Sequence, residues 1–587
     1  MTNPLYGIGL ADMIGGMQGG GGVIVGIDLG TTNSAVAYWR DGAPQLIPNA
    51  LGDFLTPSAV SMTDDGTILV GLAARDRQHS HPALTATTFK RLMGTQRQVM
   101  LGTTRFTPED LSSLVLAELK RDAERELGEP VDGAVITVPA YFNDRQRKAT
   151  RRAGQLAGLT VERLINEPTA AALSYGIIDR SDREPFLVFD LGGGTFDVSI
   201  VEIFDGIIEV RASAGDNQLG GEDFNEVMMA LARTRLSLPH YQNNVQLREA
   251  MRAAAERTRR TLSDQDSASF AILWNDTEYQ TDITAADFEQ AAGPLLDRLR
   301  DPVLRAMRDS NIRADQMSEI VLVGGATRMP IVRRTVTRMF SRFPNTAVHP
   351  DHAVALGAAV QAGLKARDAD LTEVRLTDVC PYTLGVNVSE RTATGAVHHG
   401  IFAPIIDRNT VLPTSRVHRF QTASPNQSKV EFGIFQGESR QVSANIHLGS
   451  VSLPVPPRPA GEVIIDCRFT YDVSGLLEVD VIVPETGVRE QLVIRDEQDP
   501  ITEEELAARR TVLAGLKVHP REQQVNQALL SRAERCYESF LGPKRDLIGQ
   551  LIGHFEGALG SQDPRIIADA VKVVSDQLDE LEGERYL

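Results

Sequence analysis

Apolar runs that each end in a small turn punctuate the first 330 residues. Residues 23–37 (VIVGIDLGTTNSAVA) run apolar into Asp28, Leu29 and Gly30, then into the hydroxyls Thr31 and Thr32. Residues 186–200 (FLVFDLGGGTFDVSI) repeat the design, with Phe186 to Phe189 leading into Asp190 and three glycines. IVLVGGATRMPIV at 320–332 is a third apolar run closed by Gly324 and Gly325. Such runs predict buried strands ending in tight turns. AVITVPAYF at 134–142 predicts another strand, stopped by Pro139, before an amphipathic helix that ends at Gly158. RLINEPTAAALSYG at 163–176 places Glu167 before a helix started by a proline, and helices are predicted over 247–262 and 349–364. GDNQLGGEDFN at 215–225 is a further glycine turn.

After Val379 the period changes. LLEVDVIV at 476–483 alternates apolar with polar, which predicts a half-buried antiparallel strand beside a turn at 472–475; LPVPPRPAG at 453–461 is a loop. From 501 onward Thr502 with Glu505 forms a capping box. Val525, Leu529, Ala533, Tyr537 and Phe540, then Ile548, Leu551, Ile552, Phe555 and Leu559, recur at helical spacing. GGMQGGGG at 15–22 reads as a flexible tail.

The turns carry chemistry. Gly192, Gly193 and Gly194 permit positive φ and let main-chain N–H groups approach an anion. Asp190 and Asp197 flank them. Carboxylates beside a phosphate cradle repel the anion unless a hard cation lies between, so Mg²⁺ is implied. Asp28 and Asp190 stand 190 − 28 = 162 residues apart, the separation of two similar lobes facing one nucleotide. Arg328 follows the third turn and can stack on or bond a base or ribose. No GxxxxGK[ST] stretch occurs, which excludes a P-loop.

Composition narrows the class. A chain of 587 residues, 42% of them hydrophobic, can bury several cores. Its net charge of −18 argues against a nucleic-acid partner. Cys380, Cys467 and Cys536 are far apart, which fits a reducing cytosol and no zinc site. No run reaches the roughly 18 apolar residues of a membrane span, and residues 1–22 lack the basic and apolar regions of a signal peptide.

DLGTTNS, DLGGGTFD and VGGATRMP resemble the phosphate-1, phosphate-2 and adenosine motifs of the DnaK-type heat-shock chaperones, within the actin-like ATPase superfamily. LTDVCPYTLGV at 376–386 and the short C-terminal part are most similar to the HscC subtype. The resemblance implies an α/β actin-like two-lobed ATPase domain over 23–366 and a linker over 367–378. An antiparallel β-sandwich that binds peptide follows over 379–500, and a short helical lid over 501–587.

It also implies roles. Asp28 and Asp190 would hold Mg²⁺ through water, Asp197 and Glu167 would orient water and metal, and Lys90 and Thr195 would contact the transferred phosphoryl group. Gly30, Thr31, Thr32, Asn33, Gly192, Gly193, Gly194, Gly324, Gly325, Ala326 and Arg328 would line the ATP/ADP site, with Glu256, Arg259, Arg260 and Ser263 on the adenine. K⁺ is a further candidate cofactor. Pro139, Arg147 and Asp378 would relay nucleotide state between domains, and Arg163 would serve a J-domain partner. Val386, Val388, Phe420, Thr422, Ala423, Val430, Phe432 and Ile465 would form the peptide groove, with Val430 central and Phe432 narrowing it.

The implied function is an ATP-dependent cytoplasmic chaperone for hydrophobic segments of unfolded proteins, with a J-domain co-chaperone and an exchange factor as partners. A specialised regulator with one dedicated partner is the alternative. A sugar or acetate kinase and an actin-like filament protein share the ATPase fold, but neither needs the C-terminal 210 or so residues. The linker departs from the family's aliphatic run: over 374–378 only Val374 and Leu376 are apolar, interrupted by Arg375 and Thr377. On side-chain burial alone that composition predicts weak docking.

Overall fold

The computed structural model describes residues 23–178, 183–204, 207–241, 244–275, 277–345, 349–366, 375–391, 397–472, 475–494, 521 and 524–583. Strand Val23–Asp28 lies in the middle of its sheet, parallel to Val131–Val138 and antiparallel to Asn33–Arg40. Thr160–Asn166 and Ala43–Ile47 lie outside these. Arg183–Leu191 has the equivalent pairing in a second sheet, second from its edge, parallel to Ile320–Val323 and antiparallel to Phe196–Phe204, with Ile207–Asp216 beyond. Both aspartate strands are covered on both faces, which is why they read as continuous apolar runs.

Helices Glu167–Ile178 and Ala353–Lys365 pack together between the sheets. Their approach depends on glycine. A Cβ on Gly357 would lie 1.6 Å from the Ala170 carbonyl oxygen, and one on Gly26 would lie 2.1 Å from the Ala359 nitrogen.

The expected sandwich is present as two four-stranded antiparallel sheets. Leu384–Arg391 and Lys429–Gln436 are central in one, Ile464–Tyr471 and Leu477–Val483 in the other. Between them lies a core that includes Val386, Ile434, Ile465, Phe469 and Val481. The strand at 476–483 is buried on both faces, not half-buried as its alternation predicts: Glu478 and Asp480, on the polar face, are as buried as their apolar neighbours. Arg489 at 2.6 Å and Gln491 at 2.9 Å, both on the adjacent strand, hydrogen-bond Asp480.

Three helices follow, Gln524–Ser539, Pro543–Ser561 and Pro564–Gly583, around a core of Leu529, Ala533, Phe555, Leu559 and Val574. The expected first stripe is shifted. Val525 is 73% exposed and Tyr537 faces outward, while Cys536 takes the buried position. Residues 1–22 and the capping box at Thr502 and Glu505 lie outside the described residues.

The linker is docked by its main chain. Arg375–Thr377 pairs in parallel with Ile207–Glu209 as the fifth strand of the second sheet. Residues 367–374 lie outside the described residues. The sandwich also touches the first domain directly: Arg408 bonds Asp309 at 2.6 and 3.0 Å, and Asn409 accepts from the Ser213 N–H at 2.8 Å. The turn between the last two helices reaches both bodies. The Gln562 amide pairs with the N–H and carbonyl of Val417 at 3.1 and 3.0 Å, and Arg565 forms an ion pair with Glu209.

Candidate nucleotide site and its links to the sandwich

The two aspartate turns meet. Asp28 ends its strand and accepts from the Thr137 hydroxyl at 3.0 Å. The turn after it is closed by Ser34, which takes the Gly30 N–H at 3.1 Å, and by Ser58, which donates to the Gly30 carbonyl at 2.8 Å. Across the cleft, the Gly192 N–H bonds the Thr195 carbonyl at 3.0 Å, while Gly221 and Glu222 donate to the carbonyls of Gly192 and Gly193. The expected positive φ at Gly192, Gly193 and Gly194 is not found. These glycines are needed for close approach: a Cβ on Gly193 would lie 1.9 Å from Thr32 Oγ1, and one on Gly194 would lie 2.6 Å from Thr31 Cγ2. Gly324 alone of the motif glycines has positive φ, 83°, and a Cβ there would lie 2.4 Å from the Leu191 carbonyl oxygen.

Between the turns lies a cavity of about 1040 Å³. Every residue expected at the nucleotide lines it except Gly194, whose carbonyl is turned to Arg91 at 2.9 Å. Asp197 also stays behind the wall, with Oδ1 taking the Tyr141 N–H at 3.1 Å. Lys90 and Glu167 form a buried pair at 2.6 Å. On the far side Arg259 donates to Asn225 at 2.9 Å, Arg260 pairs with Glu256 at 2.5 Å, Ser263 donates to the Arg259 carbonyl, and Arg328 pairs with Asp351.

The cluster is over-supplied with negative charge: Asp28, Glu167 and Asp190 line the cavity with one ammonium, Lys90, and Asp197 lies behind its wall. Burial first, then Glu167, pushes Asp28 up to about 7 and Asp197 up to about 8, and raises Asp190 well above the carboxylate range. Asp190 Oδ2 and Thr32 Oγ1 are buried without hydrogen-bond partners among the described residues.

The interdomain residues also converge. Arg147 donates to the carbonyls of Ala140 and Phe142 at 3.1 and 3.0 Å and to Asn166 at 2.6 Å; Asn166 in turn holds both oxygens of Asp378 at 3.0–3.1 Å. Pro139 stands at the head of the same turn, its carbonyl accepting from the Phe142 N–H at 3.1 Å. Arg163 is half-buried and bonds Gln361 at 3.1 Å.

In the sandwich, Val386, Val430, Phe432 and Ile465 belong to the core between the sheets, with Val388 and Phe420 packed against it. Phe420 and Phe432 are in ring contact at 5.2 Å. Thr422 is buried and Ala423 exposed.

The Hsp70 protein family model matches residues 24–584. Chaperone protein DnaK of Thermotoga neapolitana is 40% identical over 485 residues, covering 80% of each chain. The proteins of the same name from Thermotoga petrophila and Thermotoga maritima match equally. The chain belongs to the Hsp70 family. As an Hsp70 it is an ATP-dependent molecular chaperone and an ATPase. Hsp70 proteins bind ATP and ADP with Mg²⁺ and bind unfolded polypeptides together with co-chaperones. Among the described residues no helix is long and apolar enough to cross a membrane.

The donor set of this Hsp70 fits that cation. Mg²⁺ is usually held by one or two carboxylates together with phosphate and water oxygens, and Asp28 with the unpartnered Asp190 supplies that number. Several working residues escaped the sequence reading. Thr137, Arg91, Asp223 and Asp351 position the turns and Arg328, yet a lone Thr or Asp inside an ordinary strand, helix start or loop carries no spacing signal. Arg91 had one hint, its place beside Lys90.

Proposed function

We propose that this Hsp70 hydrolyses ATP by in-line attack of water on the γ-phosphate, with the roles divided among its own side chains. Mg²⁺, when bound, supplies positive charge to the phosphate oxygens. Asp28 and Asp190 carry the negative charge that attracts it, and Lys90, held by Glu167, stabilises charge developing on the transferred group. Asp197 and Glu167 orient water and metal, Thr195 contacts the phosphoryl group, and Arg259, Arg260, Glu256, Ser263 and Arg328 hold the adenosine end. The observation that carries this reading is the convergence of both aspartate turns, Lys90 and Glu167 on one cavity.

The ATPase domain spans 23–366, the linker 367–378, the peptide-binding sandwich 379–500 and the helical lid 501–587. Val386, Val388, Phe420, Thr422, Ala423, Val430, Phe432 and Ile465 form the groove for hydrophobic segments, Val430 at its centre. A J-domain co-chaperone acting near Arg163, a nucleotide exchange factor, K⁺ beside Mg²⁺, an HscC-like subtype and a cytoplasmic setting complete the reading. A single dedicated partner in place of many unfolded clients is the second reading, supported by the bulk of Phe432, whose ring lies 5.2 Å from that of Phe420. Steady-state ATP hydrolysis with and without a leucine-rich heptapeptide tests the proposal. Stimulation by peptide supports it, and hydrolysis indifferent to peptide contradicts the groove.

A further inference from the structure

Tyr141 joins the nucleotide site to the sandwich through its main chain. Its N–H donates to Asp197 Oδ1 at 3.1 Å, and Asp197 Oδ2 is buried without a partner among the described residues. Its carbonyl accepts from the Tyr382 hydroxyl at 2.7 Å and from Asn217 at 2.6 Å. The two tyrosine rings lie 4.5 Å apart, and Arg305 donates to the Tyr141 hydroxyl at 2.9 Å. The neighbouring carbonyls, Ala140 and Phe142, are held by Arg147. All three carbonyls of the turn at 140–142 are therefore engaged, and Tyr382 contributes the hold that comes from the sandwich side of the linker.

We propose that the Tyr382 hydroxyl is a positioning group for ATP hydrolysis: with the sandwich docked it fixes the Tyr141 peptide, which keeps Asp197 turned away from the cavity. Peptide capture shifts the sandwich toward an undocked state, because ATP and peptide are linked ligands. Undocking removes Tyr382 from Tyr141 and frees Asp197 to orient water. The inference rests on the role given to Asp197 above.

Tyr382→Phe removes the hydroxyl and keeps the ring contact. In single-turnover hydrolysis by the full chain, the rate without peptide should rise about two- to tenfold, the range of one lost hydrogen bond. The rate with saturating leucine-rich heptapeptide and the affinity for ATP should stay unchanged, so the ratio of stimulated to basal rate falls. Tyr382→Leu, which loses ring and hydroxyl, should show the same loss of ratio. A merely structural role would lower the melting temperature and leave the ratio intact. An unchanged ratio in Tyr382→Phe, with normal stimulation in the parent, overturns this proposal alone; so does an effect confined to Tyr382→Leu, which would assign the contact to ring packing. A parent chain that peptide does not stimulate overturns the proposal together with the reading beneath it.

Discussion

Lys90 is the lone ammonium beside Asp28 and the buried carboxylates of Glu167, Asp190 and Asp197, and its pairing with Glu167 at 2.6 Å fixes where its charge sits. A charge held in place before reaction needs no reorganisation when the phosphoryl oxygens gain charge, which is where such a contact is worth most. Lys90→Ala should therefore lower the single-turnover rate about 10²–10³-fold, the loss of roughly 2.7–4 kcal/mol seen for one preorganised donor. ATP affinity should change little, since the glycine turns and the adenosine side remain. Equal single-turnover rates would remove Lys90 from the chemistry. At this scale the sequence was informative about identity and silent about reason. Asp28, Asp190 and the glycines were legible because each sits at the end of an apolar run. That Gly193 is required by Thr32 of the opposite lobe, and not by its own φ, depends on a contact about 160 residues away in the chain, which no local pattern carries.

The linker makes the same point for an element. Read by side-chain burial, Arg375 and Thr377 predict weak docking; the structure docks Arg375–Thr377 by strand pairing, which main-chain groups supply whatever the side chains are. A proline at Leu376 removes a donor and disfavours the pairing. Leu376→Pro should abolish the acceleration of peptide release by ATP while leaving ATP binding intact. Arg375→Leu combined with Thr377→Leu should change that acceleration much less. If stopped-flow release reports the reverse order, side-chain burial governs docking after all. The strand at Leu477–Val483 failed in the complementary way. Alternation marks which residues are polar, but Asp480 is buried because Arg489 and Gln491 on the next strand meet it, a pairing set by register.

In the whole molecule, the docked linker lies within one residue of the C-terminal bundle's anchor. Glu209 pairs with Thr377 in the sheet and forms the ion pair with Arg565 from the last helix. The bundle is tied to the sandwich by Gln562 and to the first domain by Arg565, so it bears on the docked arrangement as a unit. Glu209→Gln weakens one of these ties by about 1 kcal/mol, the scale of a partly exposed pair. Amide exchange of Arg375–Thr377 in the ATP-bound protein should then quicken about fivefold, whereas unchanged exchange would show that the bundle does not bear on the linker. These contacts give one central claim: nucleotide and peptide are coupled through the docked linker and the Asp197–Tyr141–Tyr382 path. The direct test is the release rate of a fluorescent leucine-rich heptapeptide after mixing its complex with Mg-ATP or with Mg-ADP. Release should be about 5–150-fold faster in ATP, the range of a 1–3 kcal/mol coupling; identical rates in the two nucleotides would contradict the coupling.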